Sequence, residues 1–209
     1  MLKGLCLNNI STIFLILILF FISGCNENKE KIKNASLAPK KITVDNRIEL
    51  AGIKEDNSRN RFHLVDIDEN DLNITISRDR LHLSNMDKPI LLVNLFASWS
   101  PPCRGEVTEL GKIQKRYAKD LFVLGITVND DLNGTQMRYF MKKYGINYFV
   151  STAKDNKRFV ERILKSLKLP DNFPIPLSII YRDGRYYRFY EGAMPIEMID
   201  YEIKQAIRI

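Results

Sequence analysis

Sulfur is scarce in this chain. Three cysteines stand among 209 residues, at Cys6, Cys25 and Cys103, few enough that each can be followed separately. Histidine is scarcer: His63 and His82 are isolated, with no Cys or acidic cluster at metal-ligand spacing, so no metal is expected and both read as structural or solvent-facing. There is no glycine-rich phosphate loop and no dinucleotide fingerprint, so no cofactor is expected either. Nothing repeats at a solenoid period. The unbroken apolar run at residues 13–22 is too short to span a bilayer comfortably.

What is present is a core. Hydrophobic residues make up 45% and aromatic residues 10% of the chain, enough for one folded domain plus extensions. The net charge is +7, partly from Lys29, Lys31, Lys33, Lys40 and Lys41 in a polar stretch that reads as a solvated tether able to touch anionic lipid head groups. Lys3, the apolar run and the small residues of Ile22-Ser23-Gly24-Cys25 have the order of a secretory signal. A Cys directly after such a cut resembles the bacterial lipobox, in which the Cys is lipid-modified and becomes the new N-terminus. The division expected is a signal segment at 1–24, lipidated Cys25 and tether at 25–60, and a domain at 61–209. The alternatives are an uncleaved anchor or a coincidental Cys. On the lipobox reading Cys6 is removed, Cys25 carries a thioether, and Cys103 is the one free thiol, so no intramolecular disulfide forms. The domain then faces the periplasm or the cell exterior, anchored to the membrane by lipid, where nucleic acid is not a partner.

Residues 26–60 are Lys- and Asn-rich and weakly periodic, with short strand-like pieces at 42–44 and 48–50. From Arg61 the pattern tightens. Residues 62–65 and 72–76 read as a hairpin across the polar turn at 68–71, and Leu81, Leu83 and Met86 lead on to the apolar run at 90–96. That run suits a central strand covered on both faces. A helix follows, burying Val107, Leu110, Ile113 and Tyr117. Next come a strand at 121–128, a helix at 135–144, a short strand at 148–150 and a helix at 157–167. Residues 177–181 and 186–190 flank Asp183-Gly184, a strong hairpin signal. A last helix, started by Pro195, carries Ile196, Ile199, Ile203 and Ile207 on one face. The order predicts an α/β fold: a mixed central sheet flanked by helices, with an N-terminal β-hairpin extension.

Three segments carry a family resemblance: LLVNLFASWSPPCRGE at 91–106, LFVLGITVND at 121–130 and FPIPLSIIYRDG at 173–184. From about Arg61 onward the chain resembles the membrane-anchored, TlpA-type thioredoxin-like family, relatives of the reductases of cytochrome c maturation. The resemblance implies a thioredoxin-like fold and a redox pair at positions 100 and 103. Here Ser100 stands where the attacking Cys belongs, and Thr108 replaces a helix-kinking Pro of many relatives. A hydroxyl stays protonated where a thiol would ionise, and it forms no mixed disulfide, so ordinary dithiol–disulfide exchange lacks its first step.

Each residue of the motif carries two readings. Ser100 followed by Pro suits a helix N-cap whose oxygen accepts from the Cys103 amide, against a catalytic role. Cys103 is either an inert buried thiol or a monothiol nucleophile. Glu106, one turn on, is a tuning carboxylate by resemblance or a surface Glu favoured by the helix dipole. Trp99 matches a motif Trp that packs or contacts partners. By resemblance Pro176 is a cis-proline, leaving the backbone of Ile175 free to pair with an extended peptide. Asn73 and Asn133 lie in D-x-N-x-T sequons, both placed at turns, which resemble bacterial glycosylation sites. The functional expectation is a thioredoxin-like module of the cell envelope, disabled for ordinary exchange, that binds extended or thiol-bearing polypeptides. The alternative is a monothiol oxidoreductase or thiol peroxidase using Cys103.

Overall fold

The computed structural model describes residues 57–84 and 86–208. The expected signal segment at 1–24, Cys6, Cys25 and the expected strand-like pieces at 42–44 and 48–50 lie outside the described residues.

Eight strands form one mixed sheet in the order β1-β2-β3-β8-β7-β4-β5-β6. β4 (Ile90–Phe96) is buried at every residue; it pairs parallel with β5 (Leu121–Thr127) and antiparallel with β7 (Leu177–Arg182). Its alternation splits the core. Leu91, Val93 and Leu95 join the cluster on one face, whereas Ile90, Leu92 and Phe96 point to the other with α1 (Pro101–Arg116) and α4 (Ile196–Arg208). β6 (Phe149–Ser151) adds in parallel beyond β5, between α2 (Gly134–Tyr144) and α3 (Asn156–Leu167). β8 (Arg185–Glu191) returns from β7 through Asp183 and Gly184, whose φ angles of 47° and 73° are what the Asp-Gly signal anticipates.

The N-terminal extension is larger than a hairpin. β1 (Arg61–Val65) and β2 (Asp71–Ser77) are joined by β3 (Arg80–Leu83), which meets the main sheet at Arg80 and Arg185. β3 is short and its buried residues, Leu81 and Leu83, are two, so its period is faint in the sequence. The β1–β2 turn begins at Asp66, whose carboxylate accepts from the amides of Asp68 and Asn70 at 2.9 Å. Asn73 is not at a turn: Leu72, Ile74 and Ile76 are buried in alternation straight through it, leaving Asn73 exposed within β2 opposite His63. His63 and His82 are exposed, the former 3.6 Å from Asp71. In α4 the buried face is Ile199, Glu202, Ile203 and Ala206; Ile207 is exposed, because the four-residue step from Ile203 has rotated past the contact with the sheet.

α3 fixes the extension to the domain. Phe159, fully buried, meets Phe62 edge-to-face at 5.4 Å, and the Arg158 guanidinium lies 4.2 Å from the same Phe62 ring. Arg162 Nε donates to Asn60 Oδ1 at 2.7 Å in the short turn Asn57–Asn60 that opens the described chain. Phe159→Ala is expected to lower stability by about 3–5 kcal/mol in urea denaturation, the usual cost of emptying an aromatic site.

Candidate functional site

β4 delivers the chain to one end of the sheet and α1 carries it back. Ser100 is the N-cap, followed by prolines that need no amide partner. The cap works through its main chain: the Ser100 carbonyl accepts from Arg104 N–H at 3.1 Å, and the Ser100 N–H donates to the Ala97 carbonyl at 3.2 Å. The side chain makes no cap bond, contrary to the sequence expectation. The nearly buried hydroxyl pairs with the Cys103 thiol rather than with the Cys103 amide. Thr108 back-bonds to the Arg104 carbonyl at 3.0 Å without ending the helix.

Cys103 has no exposed surface. Burial pushes its thiol above the ordinary range; the Ser100 hydroxyl and the Ala97 backbone pull part of the way back, and the Glu106 charge pushes up again. A thiol so placed is protonated at neutral pH and shielded from solvent, the opposite of an activated nucleophile.

Glu106 is buried rather than a surface residue, only 1% exposed. Its Oε1 accepts from Asn94 Nδ2 at 2.8 Å and from Ser178 Oγ at 2.6 Å, and its Oε2 from the Met194 amide at 2.8 Å. Asn94 also donates to Ser178 Oγ at 2.9 Å. Asn94 and Ser178 are cross-strand partners of β4 and β7. Burial raises the carboxyl above its usual range, and the donors from Ser178, Met194 and Asn94 offset part of that. None of these three partners was singled out in the sequence. The available signal was a polar residue inside each of two apolar strands, at the parity that faces α1.

Trp99 is 58% exposed, yet its indole N–H donates to the Asn129 carbonyl at 2.9 Å. The next residue, Asp130, accepts from Ser98 N at 2.5 Å and from Ser98 Oγ at 3.0 Å, so the loop after β5 holds the motif from the side. Ile175–Pro176 is cis. Pro176 is buried and its carbonyl accepts from Gly192 N–H at 2.8 Å, while half-buried Ile175 packs against the cluster that contains Cys103. Among the described residues the Ile175 backbone has no hydrogen-bond partner. Asn133 lies apart from these groups; it caps α2 in a reciprocal capping box with Gln136.

A β-strand leading into a proline-started helix, with a cis-proline segment packed on the same cluster, now has its counterpart among known proteins. The Redoxin family model matches residues 78–172, which takes in β4, α1 and β5 and stops before Ile175. The fold is thioredoxin-like. A thioredoxin-like protein of Bacillus subtilis strain 168 is 29% identical over 75 residues, 35% of this chain and 44% of that protein, so the match spans less than half of the relative's length. A thiol:disulfide interchange protein of the thioredoxin family from Chlorobium tepidum TLS superposes with a TM-score of 0.54 at 24% identity, over 70% of this chain and 93% of that one. An exposed lipoprotein thioredoxin from Streptococcus pneumoniae strain TIGR4 gives 0.50 at 15% identity, over 69% and 98%.

Three outcomes follow from the buried groups. Maleimide labelling of Cys103 in the native chain is expected to run more than about tenfold slower than in urea; equal rates would show the thiol to be open. For Glu106 the folded carboxyl lies above its unfolded value, so its contribution to stability is fully present below the unfolded pKa and is lost as pH rises through the folded one. The stability of the wild type relative to Glu106→Gln should therefore fall as pH rises above the ordinary Glu value of about 4. Glu106→Ala, which strands three donors, should cost on the order of 3 kcal/mol.

Proposed function

We propose that this chain is a lipid-anchored, TlpA-type module of the bacterial cell envelope that has lost ordinary dithiol–disulfide exchange and binds extended polypeptides. The observation that carries the proposal is the pairing at the motif: a hydroxyl at Ser100 turned to a thiol at Cys103 that has no exposed surface. Reduction of a disulfide needs a thiolate to attack one sulfur and a second thiol to release the mixed intermediate. The attacking thiol is absent here: Ser100 stands in its place, Cys103 is buried without a thiol partner, and Cys25 is committed to the lipid on this reading. The peptide-binding half of a thioredoxin-like site needs no sulfur. The unpaired backbone of Ile175 offers an acceptor and a donor to an extended chain, and the exposed Trp99 ring offers apolar contact area. No helix among the described residues is long and apolar enough to cross a membrane, in keeping with anchoring from outside the domain. The pneumococcal structure with the same fold is itself described as an exposed lipoprotein.

Insulin-disulfide reduction tests the proposal. The wild type should show none, and Ser100→Cys should gain activity, since the main-chain cap does not depend on the side chain. Wild-type activity that disappears in Cys103→Ser would establish the monothiol reading instead.

A further inference from the structure

A cleft of about 660 Å³ opens beside the motif, between α3 and the loop after β5. It continues the polypeptide-binding surface at both walls. On one side lie Asn129 and Asp130, the pair that hold Trp99 and Ser98. On the other lie Asp171 and Phe173, in the same loop as Ile175. Phe173, two residues before Ile175, brings the cleft next to the segment on which an extended chain would pair.

The lining says what kind of side chain fits. Part of its lining is apolar, with Leu132, Val160 and Phe173 among the contributors. Its ionisable groups are four carboxylates, Asp130, Asp131, Glu161 and Asp171, against two lysines, Lys154 and Lys157, in a chain whose net charge is +7. Asp130 is held by Ser98, and Glu161 stands 4.0 Å from Lys157. Asp131 and Asp171 are exposed and have no side-chain partner among the described residues. Apolar side chains interleaved with carboxylates match lysine and arginine, whose stems are apolar and whose heads carry the charge.

We propose that this cleft takes the continuation of the bound polypeptide and selects segments that place an arginine or lysine there. The inference rests on the polypeptide-binding reading above. Local negative potential on a chain whose net charge is +7 draws cationic side chains to this cleft and turns anionic ones away.

Three fluorescein-labelled peptides of one Thr-Val-Gly background, differing only in a central Arg, Gln or Glu, separate the two ideas by fluorescence polarisation with the purified full chain. The Arg peptide should bind roughly fivefold tighter than the Gln peptide, and the Glu peptide weaker than either, a spread that partly exposed charge pairs supply. Asp131→Asn together with Asp171→Asn should bring the Arg and Gln peptides to within about twofold and leave Gln-peptide affinity unchanged, while added salt should erode the Arg preference. Equal binding of all three peptides, or an Arg preference that survives the double substitution, overturns the cleft assignment and leaves polypeptide binding standing. No binding by any of them overturns both.

Discussion

The domain depends on a carboxylate that water does not reach. Glu106 draws its bonds from β4 through Asn94, from β7 through Ser178 and from the lead into α4 through the Met194 amide, so one side chain of α1 joins three other parts of the fold. A buried carboxylate with no cation partner is tolerated only where donors converge on it. Two of the three come from neighbouring strands in register, which is possible because Asn94 and Ser178 face each other across the sheet. The geometry of the motif is thus set from beneath.

The second support comes from the side. Asp130 and Asn129 hold Ser98 and Trp99 by hydrogen bonds from the far end of β5. The loop that presents the exposed indole is therefore fixed at its neighbours even though its surface is open. What the site keeps is a shaped and rigid lip; what it has little of is an activated sulfur. These two properties agree with binding without turnover, the reading proposed for this chain.

Most of the sheet was legible because its strands obey simple rules. The continuous apolar run of β4, the Asp-Gly turn between β7 and β8, and the three-to-four spacing in α1 each specify one local answer. The parts that were not legible depend on tertiary context. β3 has two buried residues, too few to show a period, and becomes a strand by pairing with β2. The cap at Ser100 was expected from residue type, but the neighbouring thiol of Cys103 takes its hydroxyl. Burial of Glu106 could not be told from its sequence position, since an acid in the first turns of a helix is equally at home in solvent. It becomes apparent only when Asn94 and Ser178 are seen on the face toward α1.

The main-chain character of the Ser100 cap has an evolutionary consequence. The amide and carbonyl that start α1 are the same for any residue at this position that adopts its extended backbone, and sulfur for oxygen is a one-atom exchange in a side chain that makes no cap bond. Folding therefore exerts little selection between hydroxyl and thiol here. A lineage can cross between the two without rebuilding the scaffold, and the identity of the residue records what the protein is used for rather than how it folds.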